Sequence, residues 1–238
     1  MRIGLLICDR VPEELAVHAG DYPDMFGDLL AAHPELELVP YDLTRGRFPA
    51  SGDECDGWII TGSTRSVYDD EPWIRRLEGL VQELIEDERK LVGICFGHQM
   101  IGQALGGKVA RADQGWGIGV REIEVLAREP WMEPEASTFR VVHSHADQIV
   151  EPPPGIRVLA SSQHCPVSML AYGDHVLGIQ GHPEFVPAFA RAQMERRRGN
   201  LIAAEVVDTA LATLANPPDR PLLAAWIQSF LAAPPADP

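Results

Sequence analysis

Short apolar runs rich in β-branched residues alternate with longer stretches whose apolar positions recur every three or four residues. Residues 2–8, 36–41, 57–61 and 91–94 read as strands. Between the last two, Trp73, Ile74, Leu77, Leu80, Val81, Leu84 and Ile85 share one helical face and leave Glu78, Glu83, Glu86 and Asp87 to solvent. Strands separated by helices predict an α/β fold, a mostly parallel, doubly wound sheet with helices on both faces.

From Gly106 the texture becomes β-rich, with runs at 108–110, 119–126, 139–143, 156–160, 167–171 and 176–180 punctuated by Gly, Pro and Asp. Strands that follow one another without helices predict an antiparallel extension of the sheet. Helical spacing returns over 186–198 and 201–214, and again in the stripe Leu222, Leu223, Trp226, Ile227, Phe230 and Leu231. The chain is thus expected to form one domain over 1–231, with a frayed tail at 232–238. Residues 9–24 show no periodicity and read as a long loop, of a length that is often functional and could wall a pocket.

Composition narrows the partners more than the fold. The 238 residues carry a formal net charge of −15, which repels nucleic-acid phosphates and anionic membrane surfaces. The arginines of "RAQMERRRGN" then read as the outer face of a helix. No run reaches the roughly 20 apolar residues that span a bilayer, and the first ten residues lack the apolar length of a signal peptide, so the expected location is the cytoplasm. The four cysteines, Cys8, Cys55, Cys95 and Cys165, are far apart and form no zinc-binding spacing. No metal or cofactor is implied.

Cys95 occupies a special place. Residues 91–94 form a buried strand pattern, and Met100, Ile101, Ala104 and Leu105 continue as the apolar face of a helix, so Cys95 falls in the turn between them. Gly93 and Gly97 flank it as glycines flank the serine of G-x-S-x-G, where close approach of strand and helix leaves little room for side chains. The helix N-terminus favours a thiolate and offers N–H groups to an oxyanion. A buried core cysteine would share this pattern, and both readings stand until a base is found. "GIQGHPEF" supplies one: His182 follows the apolar run 176–179, and in extended backbone His182 and Glu184 point to the same side. A Cys95/His182/Glu184 triad follows, with the carboxylate orienting the imidazole.

With "GICFGHQ", "SHAD" and "GHPE" in that order over residues 57–184, the sequence resembles the class I, triad-type glutamine amidotransferase domain, which has a flavodoxin-like fold. The resemblance implies hydrolysis of the side-chain amide of glutamine, or of a related γ-glutamyl bond, through a thioester on Cys95. By position it implies an oxyanion hole from the N–H of Phe96 and the Gly62–Ser63 turn. It also implies that Gln99 and the segment Ser144, His145 and Ala146 contact the amino-acid end of the substrate. The oxyanion strand usually carries two glycines and a proline, where this chain has "TGSTRS", so a different pocket rim is expected. His98, His143 and His164 read as structural histidines, Asp147 as a residue that orients the "SHAD" segment, and Cys8, Cys55 and Cys165 as bystanders.

The resemblance is closest to the amidotransferase of GMP synthetase and to free-standing relatives that include γ-glutamyl peptidases, whose N-terminal loop "GDYPDMF" resembles. No ATP site follows Glu184. Three functions stay open: a glutaminase subunit feeding ammonia to a separate synthase, a free-standing hydrolase of γ-glutamyl amides or peptides, and a silent binding module, which the intact triad disfavours.

Overall fold

In the computed structural model, which describes residues 1–234, successive side chains of β1 (Arg2–Ile7) enter two different cores. Ile3, Leu5 and Ile7 join one, and Leu6 joins the other. Burial on both faces demands apolar residues at nearly every position, which β3 (Gly57–Ile60) and β4 (Lys90–Ile94) also satisfy. With β2 (Glu37–Asp42) at the edge, these strands run parallel in the order β2-β1-β3-β4.

Helices cover both faces. On one side lie α3 (Pro72–Glu86), through Ile74, Leu77, Val81 and Leu84, and α4 (Phe96–Ala104), through Met100 and Ile101. The other core takes side chains from α1 (Glu13–Ala16), α2 (Tyr22–Leu29), α5 (Pro187–Arg197), α6 (Ala204–Thr213) and α7 (Arg220–Ala232). No helix among the described residues is long and apolar enough to cross a membrane.

The expected antiparallel extension is present, with one change of plan. β11 (Val176–Ile179) pairs parallel with β4, and β10 (Met169–Tyr172), β9 (Arg157–Ser161), β6 (Gly117–Val125) and β7 (Thr138–His145) follow in antiparallel order. β5 (Lys108–Arg111) leaves this sheet to pair with β8 (Asp147–Glu151), a short strand that the sequence pattern did not reveal.

Three other expectations change. The segment 9–24 is not structureless: α1 lies within it and α2 begins at Tyr22, where Asp21 and Asp24 form a reciprocal capping box. The helix expected over 201–214 starts at Ala204, because the Leu201 and Ile202 N–H groups bond back to Arg197 O in a turn that closes α5. α7 runs through Ala232, so the helix takes in the first residue of the expected tail, and residues 235–238 lie outside the described residues.

Candidate active site

Cys95 adopts φ 53° and ψ −99°, a conformation that side-chain-bearing residues rarely hold. Two contacts enforce it: the Cys95 N–H donates to Ile179 O at 2.9 Å, and the Gln99 N–H reaches Cys95 O at 3.0 Å. The glycines explain how strand and helix come so close. A Cβ at Gly97 would lie 2.6 Å from Ile60 O, and one at Gly93 would lie 2.5 Å from the Gly97 carbonyl. The turn expected from G-x-C-x-G is therefore formed, with the sulfur at the start of α4.

Register brings the base to it. Ile94 of β4 pairs with Ile179 of β11 in parallel, so both strands end at one sheet edge. The His182 N–H donates to Val142 O at 2.7 Å, tying this edge to β7. His182 Nδ1 donates to Glu184 Oε1 at 2.7 Å, and Glu184 is fully buried. The imidazole lies close enough to Cys95 to interact with it electrostatically. Burial alone would lower the His182 pKa, but Glu184 and then Cys95 outweigh it and raise it to about 10, which favours the imidazolium form of the ring. The ring of Phe185 stacks on the imidazole at 4.0 Å between centroids and 5° between planes.

Opposite the sulfur, the turn after β3 is set by polar contacts. Thr61 Oγ1 accepts the Cys8 N–H at 3.0 Å, and Asp9 Oδ2 accepts the Thr64 N–H at 2.7 Å. The N–H groups of Gly62 and Ser63 have no acceptor among the described residues. Phe96 opens α4, whose first N–H groups have no intrahelical acceptor. Ser63, Cys95, Gln99 and Ser144 line one cavity of about 290 Å³.

At the far end, Gln99 Nε2 donates to Asp147 O at 2.7 Å and to Gln180 Oε1 at 3.1 Å. Both amide protons are committed, which leaves Oε1 as an acceptor. Ser144 and His145 end β7 rather than lying in a loop, and Ala146 alone separates them from β8. The His145 ring is held on both nitrogens, by His143 Nδ1 and by Asp147 O, each at 2.9 Å. Asp147 itself accepts from Ser66 Oγ at 2.5 Å, which ties the segment to the loop after β3.

A glutamine amidotransferase class-I family model matches residues 28–199. The chain belongs to the class I glutamine amidotransferase family. It is 35% identical to γ-glutamyl peptidase 5 of Arabidopsis thaliana over 80% of this chain and 81% of that protein. It is 36% identical to the glutamine-hydrolysing GMP synthase of Thermomicrobium roseum over 69% of this chain but only 30% of that longer protein. A glutamine amidotransferase crystal structure from Thermotoga maritima superposes with a TM-score of 0.76 at 19% identity, covering 98% of each chain, which supports the fold. The expected enzyme class, an amide hydrolase of the amidotransferase type, stands with the family.

Within this amidotransferase site, sequence reasoning missed three residues. Phe185 was legible only as part of "GHPEF". Tyr22, from the segment read as a loop, is buried with its hydroxyl 3.3 Å from where a Gly62 Cβ would sit. Arg197 was read as part of an outer helix face, yet it lines the Cys95 cavity. The bystander residues stay apart. Burial raises the pKa of the Cys8, Cys55 and Cys165 thiols, that of Cys165 to about 12. His98 and His143 are buried among protein groups, and His164 packs against the His145 ring.

Proposed function

We propose that this protein hydrolyses the C–N bond of a γ-glutamyl amide, glutamine or a related γ-glutamyl compound, through a γ-glutamyl thioester on Cys95. The observation that carries this reading is the strained Cys95 at the start of α4, at the same sheet edge as a His182 that Glu184 holds through Nδ1. The thiolate attacks the γ-carbonyl carbon, and the N–H groups of Phe96 and of Gly62 or Ser63 receive the developing oxyanion. His182 then gives its proton to the leaving nitrogen as the C–N bond breaks. In the second half water attacks the thioester, His182 takes a proton from it, and the thiolate departs from the released glutamate.

At the amino-acid end, the free Oε1 of Gln99 suits the substrate's ammonium group. Ser144 and Ala146 flank the same end, and His145, with both ring nitrogens engaged, contributes through its main chain. Residues 1–231 act as one amidotransferase-like domain, a reading supported by two cores that share one sheet. A cytoplasmic location fits four cysteines that are all unpaired.

The leaving group has two forms. Release of an amino acid or peptide, as a free-standing γ-glutamyl peptidase, is supported by relatives of that name matched over most of their length. Release of ammonia to a separate synthase is the second form, supported by the amidotransferase portion of GMP synthases. The test is mass spectrometry after reaction with a diazo-ketone glutamine analogue, alongside ammonia release from glutamine and glycine release from γ-glutamylglycine. A single adduct on Cys95, absent in Cys95→Ser, is the expected result. A protein that hydrolyses these compounds equally well as Cys95→Ser would overturn the mechanism.

A further inference from the structure

Three arginines in succession end α5, and their surroundings differ. Arg196 pairs with Glu14 at 2.9 Å, and Arg198 pairs with Glu195 and Asp208, each at 2.7 Å. Arg197 meets no carboxylate among the described residues. Its Nη1 donates to Ser144 Oγ at 2.6 Å and lies 3.4 Å from Gln193 Oε1, and its guanidinium carbon sits 5.2 Å from the ring centre of Trp116. All three neighbours are neutral. Burial lowers the Arg197 pKa, the larger effect, and is opposed by Tyr22, Cys95 and the more distant Asp9.

Asp9 acts on Arg197 only from a distance, and a partly buried guanidinium with no carboxylate in contact is costly, a cost recovered when a ligand supplies one. Nη1 is committed, while Nη2 and Nε have no acceptor among the described residues, and that fork matches a carboxylate in two parallel hydrogen bonds. A second, independent observation points the same way. Trp116 lines the cavity, and its buried indole N–H also lacks a partner. Arg111 lines the cavity too, but it is exposed and water solvates it.

We infer that Arg197 is the receptor for the α-carboxylate of the γ-glutamyl group, with Trp116 supporting the guanidinium plane. Its bond to Ser144 places it at the proposed amino-acid end of the cavity that Gln99 also lines. One group then reads the ammonium and the other the carboxylate. Arg197 thus sets specificity for γ-glutamyl over plain acyl amides. This rests on the γ-glutamyl hydrolase reading above.

The test compares γ-glutamyl p-nitroanilide with 4-aminobutyryl p-nitroanilide, which lacks only the α-carboxylate, for the native enzyme, Arg197→Gln and Arg197→Lys. A charged hydrogen bond of ordinary strength predicts that Arg197→Gln raises KM for the γ-glutamyl substrate about 10- to 100-fold. It changes kcat less and lowers kcat/KM for the 4-aminobutyryl substrate far less than for the γ-glutamyl one, and Arg197→Lys restores part of the loss. Equal losses on both substrates, or none, would overturn the assignment. So would a loss confined to γ-glutamylglycine relative to γ-glutamylglycinamide, because that outcome assigns Arg197 to a carboxylate on the leaving group. Calorimetry with Cys95→Ser protein, comparing L-glutamine with 4-aminobutyramide with and without Arg197→Gln, reads the same preference without turnover. Preference for glutamine that depends on Arg197, in a protein that cleaves no anilide, would sustain the receptor and sink the hydrolase.

Discussion

His182 Nδ1 donates to Glu184 Oε1 at 2.7 Å, with both side chains buried. The carboxylate does more than orient the ring. Burial would keep the imidazole neutral, and Glu184 leads the interactions that reverse this and raise its pKa to about 10. The proposed mechanism uses that imidazolium as its proton donor.

Glu184→Gln keeps an oxygen within reach of Nδ1 and removes the charge. The expected result is a fall in kcat/KM of about 10²- to 10⁴-fold, with the alkaline limb of the pH profile moved down from about 10. A limb that stays in place while activity falls would show that Glu184 acts on something other than His182 protonation.

Gly62 touches the same imidazole from the other side. A Cβ there would lie 2.8 Å from His182 Cε1, and the ring has nowhere to retreat, since Glu184 and Phe185 fix it. Gly62→Ala should therefore fold and melt near the native temperature yet lose on the order of 100-fold in kcat, the scale of a displacement near 1 Å in a catalytic group. Native turnover in that variant would mean the turn moves freely and is no part of the oxyanion site.

The triad and the sheet were legible in the sequence because each left a local mark. Gly93 and Gly97 encode a close approach, and His182 and Glu184 stand two apart after an apolar run. Arg197 left no such mark, because three consecutive arginines look alike in a pattern and only the packing of α5 turns the middle one toward Ser144. Strand β8 is short, and its exposed Val150 and Glu151 hide the buried Gln148 and Ile149. The start of α2 could have been read: Asp21 and Asp24, with Pro23 between them, carry the spacing of a capping box, but the glycine and acids around them read as a turn.

Phe185 is 1% exposed and lies flat on the His182 ring. A π face stabilises a cation placed over it, so Phe185→Leu keeps most of the apolar volume and removes that support. Stability should fall by roughly 1–2 kcal/mol and the alkaline limb should shift down, with a few-fold lower kcat. An unchanged limb with the same stability loss would reduce Phe185 to a packing residue.

Stability itself should pass through a maximum near neutral pH, and the signs follow from His182 on one side and from buried His98, His143 and His145 on the other. The folded pKa of His182 is raised from 6.5 to about 10, so its contribution is fully present below about 6.5 and is lost as pH rises through about 10. His98 behaves oppositely: burial, its largest influence, lowers its pKa from 6.5 to about 4. Below about 6.5 the unfolded chain takes up a proton that folded His98 refuses, so stability falls until about pH 4 and then levels off. At about 1.4 kcal/mol per pKa unit, the His98 share is on the order of 3 kcal/mol. Urea unfolding from pH 4 to pH 10 should trace this dome. His98→Gln, which cannot titrate, should make the acid side shallower by one proton's share, since His143 and His145, also lowered by burial, keep theirs. An acid limb as steep in His98→Gln as in the native protein would move the effect to other groups, with His145, lowered by burial to about 3, the first to replace.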